Sequence, residues 1–340
     1  MRHWLAHDCA VACLALLVVS TLSCGSKDEA SAPGEKKLVI AMLPKLVNID
    51  YFDACERGAK KAAEELGVTL IYDGPKAARG EEQNKFISSW IRQKVDAICV
   101  APNQPKAVRQ YVKRAQDAGI KVLTWDTDAP ESGRDLMVNQ VDDKVLGEML
   151  MDELARQMGE EGEWAVVLAS LDAANLNTWR RFAEARAKEK YPKLKLVATE
   201  VTNEDENFAT QKVEALLNSR PQLKGILALD SNSVPGSAAA VVNAKRVGTV
   251  AVVGNTTPNK MRKFIQDGVV ECFYLWDPRA LGALTVRCAK ALVEGEALSA
   301  GKELPGHGKL VFSKADPKMV ILSPPIRFTK DNIDRYNFGI

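Results

Sequence analysis

From residue 37 onward the chain alternates short apolar runs with stretches whose apolar positions recur every three to four residues. The runs at 37–42, 69–72, 97–100 and 122–125 read as strands, and 53–66, 81–93 and 106–118 as amphipathic helices. Gly67 and Gly119 stand just past two of these helices, where a left-handed residue closes the last turn. The pattern then restarts. Helices at 143–158, 178–189, 209–218, 235–244 and 259–266 alternate with strands at 164–168, 195–199, 225–229 and 249–253. One more helix, 281–293, leads into an irregular tail that ends in a short segment at 331–336. Alternation of this kind predicts an α/β fold, a parallel sheet with helices on both faces, here built twice. Open α/β sheets take ligands at the carboxyl ends of their strands, so two such edges facing each other predict a cleft.

Length agrees with two units, because 340 residues exceed what one hydrophobic core comfortably supports. Hydrophobic residues at 46% and charged residues at 26% are ordinary for a globular chain, which disfavours disorder and a multi-span membrane protein. A formal charge of +2 lacks the basic excess that a nucleic-acid partner demands. The 3 histidines are His3, His7 and His307, too few and too scattered for a histidine triad or a multi-histidine metal site. No Gly-x-Gly-x-x-Gly follows the first strand and no Walker A sequence occurs, so a phosphate-cradling cofactor site has no support and no cofactor is expected.

Arg2 precedes an apolar stretch at 9–19, followed by Ser20-Thr21-Leu22-Ser23-Cys24-Gly25. A run this short, with a cation before it and small residues after it, predicts a signal peptide over 1–23 rather than a spanning helix. The Leu-Ser-Cys junction resembles a bacterial lipobox, which implies acylation at Cys24; Thr21 departs from the usual aliphatic residue, and ordinary cleavage nearby is the alternative. Residues 24–36 are small and polar and suit a tether. Beyond them, Cys55, Cys99, Cys272 and Cys288 match no zinc spacing and read as buried thiols, a Cys272–Cys288 pair being the alternative in an oxidising compartment.

Several segments, in this order, carry a family resemblance: Leu43-Pro44-Lys45-Leu46-Val47, Tyr72-Asp73-Gly74-Pro75, Val95-Asp96-Ala97-Ile98, Leu123-Thr124-Trp125-Asp126-Thr127-Asp128, the run 253–261, Leu275-Trp276-Asp277 and Lys330-Asp331-Asn332-Ile333-Asp334. Over 37–338 the chain resembles the type I periplasmic binding proteins, the ribose-binding-like solute receptors of ABC transporters, and within them the rhamnose and autoinducer-2 receptor branch. The resemblance implies two Rossmann-like doubly wound lobes joined by a hinge, 37–138 with 277–310 and 139–276 with 311–340. It also implies a monomeric periplasmic or cell-surface receptor that closes on a small sugar and delivers it to an inner-membrane permease. Of six positions that hold autoinducer-2 in that branch, Lys45, Asp126 and Pro235 match. Asn175 and Leu176 replace an Asp-Gln pair, and Ser237 replaces an alanine.

Residue chemistry supports part of this list directly. Asp126 ends an apolar strand, where a carboxylate can accept from adjacent hydroxyls, and Lys45 ends the first strand, where it can donate to a ligand oxygen and keep that carboxylate ionised. Asp128 lies on the same loop as Asp126, in contact with ligand or at the surface. Tyr51 and Phe52 open the first helix and offer flat apolar platforms for sugar C–H faces, or simply core packing. Asn175, Asn177 and Trp179 follow the 164–168 strand and suit neutral hydroxyls, with helix capping the alternative for Asn177. Asp230 has the same two readings ahead of helix 235–244. Trp276 and Asp277 precede Pro278 at the expected crossing, where Asp277 bonds ligand, steadies the hinge or caps the next helix. Asn255 stands where many sugar receptors carry an aspartate. Three other classes share the fold: regulator effector domains, which need a helix-turn-helix where this chain has an apolar leader; enzymes, which need an activated nucleophile or acid–base pair; and sensors that signal to a chemoreceptor or kinase. A binding receptor and not an enzyme is the reading we carry forward.

Overall fold

The structure, a computed structural model, describes residues 37–338, so the leader, the tether and Cys24 lie outside the described residues. In chain order the first elements are β1 (Val39–Leu43), α1 (Asp50–Leu66), β2 (Thr69–Tyr72), α2 (Gly80–Gln93), β3 (Ala97–Val100), α3 (Pro105–Asp117), β4 (Lys121–Trp125) and β5 (Leu136–Asn139). A second series comes next: α4 (Asp143–Met158), β6 (Gly162–Leu168), α5 (Ala174–Lys190), β7 (Leu194–Val201), α6 (Glu206–Ser219), β8 (Leu223–Ala228), α7 (Ser233–Asn243), β9 (Ala251–Gly254), α8 (Pro258–Gln266) and β10 (Phe273–Leu275). The chain ends with α9 (Pro278–Val293), β11 (Glu303–Leu304), β12 (Gly308–Lys309), β13 (Val311–Phe312), β14 (Met319–Ile321) and β15 (Ile326–Phe328).

Seven strands form the first sheet in the order β13-β14-β5-β4-β3-β1-β2, parallel except at the β13–β14 edge. Its strands alternate between two apolar layers: Ala41, Leu43, Ile98 and Val100 meet α2 and α3 through Ile87, Trp90, Val108 and Val112, while Ile40, Met42 and Cys99 face the other way. On that other face α1 and α9 pack so closely that a Cβ on Gly58 would lie 1.9 Å from the Arg279 carbonyl oxygen, and one on Gly282 2.0 Å from that of Cys55. Only glycine permits this approach. The second sheet runs β7-β6-β8-β9, all parallel, and a single bridge from Asn255 to Tyr274 links its end to the antiparallel pair β10–β15.

Every predicted strand and helix is present, with helix starts shifted. Helix α1 begins at Asp50 and α5 at Ala174, so Tyr51, Phe52, Asn175 and Asn177 all lie in first turns. The tail divides in a way the sequence reading did not anticipate. Residues 311–321, expected in the second lobe, pair in the first sheet, because β14 runs parallel to β5 with Val320 opposite Val138, both fully buried. Only β15 and the residues after it join the second lobe. The chain therefore crosses between lobes three times: after β5, after β10 and after β14. Cys55, Cys99, Cys272 and Cys288 are free and buried, as expected of structural thiols.

Candidate functional site

Both sheets present their carboxyl edges to a shared cavity of about 370 Å³, counting solvent at its mouth. The first-lobe wall begins at the end of β1. Gln83 Nε2 donates to the Pro44 and Ala101 carbonyls at 2.9 and 2.8 Å, and Asn103 Nδ2 donates to the Lys45 carbonyl at 2.8 Å. These bonds fix the backbone that carries Lys45, which is 5% exposed. Its ammonium donates to Asn175 Oδ1 at 2.9 Å and lies 3.6 Å from Asp126 Oδ2, so one cation joins the two lobes. Asp126 holds φ +59°, a left-handed conformation that Asp tolerates better than most residues. Its carboxylate accepts from Tyr51 Oη at 2.9 Å and from Thr127 Oγ1 at 3.2 Å.

Tyr51 in turn accepts from Trp276 Nε1 at 3.0 Å. Burial first, then the Asp126 charge, pushes its phenol well above the ordinary value, so it stays a proton donor. Aromatic rings continue this line across the lobes. Centroids are 5.6 Å apart for Phe52 and Trp125, 5.1 Å for Tyr51 and Phe52, 6.1 Å for Tyr51 and Trp276, and 5.8 Å for Trp179 and Trp276. Such edge and tilted pairs hold rings at defined angles and give sugar C–H faces a rigid apolar wall. Trp179 is held by its Nε1, which donates to Asp143 Oδ1 at 2.6 Å.

Residues from four second-lobe elements complete the lining: Asn175 and Leu176 on α5, Glu204 after β7, Asp230 and Ser231 after β8, and Asn255 after β9. Asp230 is already engaged. It accepts from the backbone N–H groups of Asn232 and Ser233 at 3.1 and 2.9 Å and from the Ser233 hydroxyl. Burial nevertheless raises its pKa, with those donors pulling the other way. Glu204, half-buried beside Asp230, is pushed up to about 8 by burial first and by that neighbouring charge second, with Lys45 opposing. Among the described residues no cluster of His, Cys, Asp and Glu could hold a metal.

Of the residues the sequence proposed, Lys45, Tyr51, Phe52, Asp126, Asn175, Trp179, Asp230 and Trp276 meet in this cavity. Five do not line it. Asp128 is committed to Arg134, at 2.5 Å, and to the Thr124 hydroxyl and Ala129 N–H. Asn177 turns its amide onto the carbonyls of Ser170, Leu171 and Ala173 and so braces its own loop. Asp277 caps α9 through Arg279 N–H and pairs with the Arg279 guanidinium. Pro235 and Ser237 lie buried along α7, away from the lining. Sequence reasoning overlooked Glu204 altogether and left Asn255 outside its site. Both come after the carboxyl ends of strands in the second sheet, the signal that found Asp230.

The chain matches a periplasmic binding protein domain over residues 40–297. A D-ribose/D-allose-binding protein of Pseudomonas aeruginosa is 28% identical over 284 residues, covering 79% of this chain and 84% of that protein. Among solved structures, LsrB from Clostridium saccharobutylicum in complex with AI-2 superposes with a TM-score of 0.82 at 28% identity, covering 88% of this chain and 100% of its own. A solute-binding protein from Clostridium phytofermentas with bound L-rhamnose also reaches 0.82, at 26% identity over 88% of this chain and 98% of its own. With the two-sheet fold and the interlobe cavity, these matches place the chain in the periplasmic binding protein family, in its type I branch of extracytoplasmic sugar-binding receptors of ABC transporters, and it is a receptor and not an enzyme.

Proposed function

We propose that this receptor, tethered through an acylated Cys24, captures a small neutral sugar, a deoxy-sugar or other monosaccharide, and delivers it as a monomer to an inner-membrane permease. The observation that carries this reading is that the cavity sets hydrogen-bonding groups beside an apolar wall. Lys45 and Asp126 of the first lobe offer partners for vicinal hydroxyls, while the second lobe, besides its polar groups, sets Leu176, 4% exposed, with Trp179 and Trp276. A methyl group or C–H face suits that wall. A hydroxyl forced against it would lose its water partners at a cost of roughly 1–3 kcal/mol. AI-2 is the second reading, favoured by the similarity to the AI-2 complex and by the retained Lys45 and Asp126.

Calorimetric titration of the purified protein with L-rhamnose, L-fucose, D-ribose, D-arabinose, D-galactose and AI-2 tests the reading. Micromolar or tighter binding of a neutral sugar supports it. Binding of AI-2 alone moves the assignment to the second reading, and silence toward all six removes the sugar-receptor function. For the tether, the intact mass of membrane-purified protein should correspond to a diacylated or triacylated chain starting at Cys24.

A further inference from the structure

Counting hydrogen-bond capacity around the cavity separates groups already satisfied from groups still open. Both Asp230 oxygens are taken by its own loop and Asn175 Oδ1 is taken by Lys45, while each Asp126 oxygen holds one hydroxyl, from Tyr51 or Thr127, and keeps a lone pair for a ligand. Asn255 differs. Its backbone N–H bonds the Ala228 carbonyl at 3.3 Å, but its side-chain Oδ1 has no partner although the residue is only 5% exposed. A buried acceptor left open is costly, and a ligand donor relieves it.

Glu204 differs in the same way. Among the described residues its carboxyl makes no hydrogen bond or ion pair, while its backbone carbonyl is clamped by Asn232 Nδ2 at 2.6 Å. Asn203 and Glu204 hold φ +56° and +61°, two consecutive non-glycine residues in the left-handed region, which fixes where the carboxyl stands. Glu204 lines this cavity and, with Lys45, a second one that Arg79, Asn103 and Ser170 also line. Lys260, a second-lobe cation whose charge reaches Glu204, is occupied by Glu206 at 2.8 Å, Asn232 Oδ1 at 2.7 Å and, across the lobes, Asp50 at 3.6 Å.

We propose that Glu204 and Asn255 form the pair that reads the ligand from the second lobe, selecting hydroxyl groups that can satisfy both. This rests on the sugar-receptor reading above. Glu204 is faced by Asp230 from the loop after β8, Asp126 from β4, Lys45 from β1 and Lys260 from α8, with Asp205 and Glu206 next to it in sequence. Burial and the two aspartates outweigh the two lysines, and the carboxyl is pushed up to about 8. That favours the protonated acid, which can donate one bond and accept others. Exposure to water returns the group toward its ordinary value of about 4.3, so closure on a ligand takes up protons and affinity declines as pH rises above that value.

The test is calorimetry of the purified protein with whichever of the six compounds the wild type binds, repeated in buffers of different ionisation heat to count protons. Glu204→Ala and Asn255→Ala should each weaken binding by about tenfold or more. Glu204→Gln, which mimics the neutral acid, should bind within about threefold of wild type at neutral pH and take up no proton. Retained affinity in both alanine variants, with unliganded melting temperatures unchanged, would overturn the pair, as would undiminished proton uptake in Glu204→Gln. Silence of the wild type toward every compound overturns the sugar reading itself, and this pair with it.

Discussion

Replacing Asp126 with asparagine isolates the contribution of one charge to ligand capture. Asparagine is the informative choice because the residue sits at φ +59°, which Asn adopts readily, whereas alanine there would add about 1–2 kcal/mol of backbone strain. Oδ1 of the amide can still accept from Tyr51, so the bond at 2.9 Å and the Tyr51–Trp276 contact survive. What disappears is the charge that Lys45 meets at 3.6 Å and that strengthens bonds from ligand hydroxyls. A hydrogen bond to a charged group contributes about 1.5–3 kcal/mol and a neutral one about 0.5–1.5 kcal/mol, a difference of roughly 1–1.5 kcal/mol for each bond. Two adjacent hydroxyls on the carboxylate then give about 2–3 kcal/mol, or roughly 30- to 150-fold in Kd. Titration calorimetry of Asp126→Asn against the sugar that the wild type binds measures this, with the unliganded melting temperature as the control for folding. Affinity within about threefold of wild type would mean that Asp126 serves Tyr51 and Lys45 and does not touch the ligand.

Gly282→Ala should lower the melting temperature by several degrees, because its methyl would enter a 2.0 Å space against the Cys55 carbonyl and overpacking of this kind costs about 1–3 kcal/mol; an unchanged scanning-calorimetry transition would contradict the α1–α9 packing. Asp143, which holds Trp179, is pushed up to about 6 by burial, with the bonds from Trp179 and Asn139 opposing. A raised folded-state carboxyl lends stability below its unfolded value near 3.9 and loses it as pH rises through about 6, so Asp143→Asn should gain on wild type in urea denaturation between pH 4 and pH 7. An equal stability difference at both pH values would show that the group does not titrate there. Burial pushes the Cys55, Cys99, Cys272 and Cys288 thiols up, so native protein from Lys37 onward should resist iodoacetamide and take up four alkyl groups only in denaturant; fast native labelling would place a thiol at the surface.

The two-lobed α/β plan was legible because parallel strands buried on both faces appear as short apolar runs, as Ala97–Val100 does with every residue buried. Strand β5 escaped notice because it is four residues long and comes after β4 without an intervening α-helix, breaking the alternation on which the reading depended. Nothing local in 319–321 says that its partner lies some 180 residues earlier, since pairing partners are set by the finished sheet. The first-lobe half of the site was readable from residue type at strand ends. Local hydrogen bonding confounded the second half, because Asp and Asn serve a helix terminus or a loop as well as they serve a sugar; Asp277 caps α9, Asn177 braces its own loop and Asn175 lines the cavity. Glu204 was hidden for another reason. The strand before it was read, but Glu204 sits in the acidic run Asn203-Glu204-Asp205-Glu206, where a carboxylate reads first as a solvated loop or the start of a helix.

Strand β14 lies between β13 and β5, and it is among the last segments of the chain to be made. Until residues 319–321 arrive, the β5 edge of the first sheet has no neighbour, and α9, which closes the face over β1, β3 and β4, is also a late arrival. A lobe that opens at residue 37 thus stays unfinished until residue 321 has been made: β1 to β4 can pair among themselves and build their own apolar layer, but the edge beyond β5 and the face under α9 wait for segments that follow the whole second-lobe series.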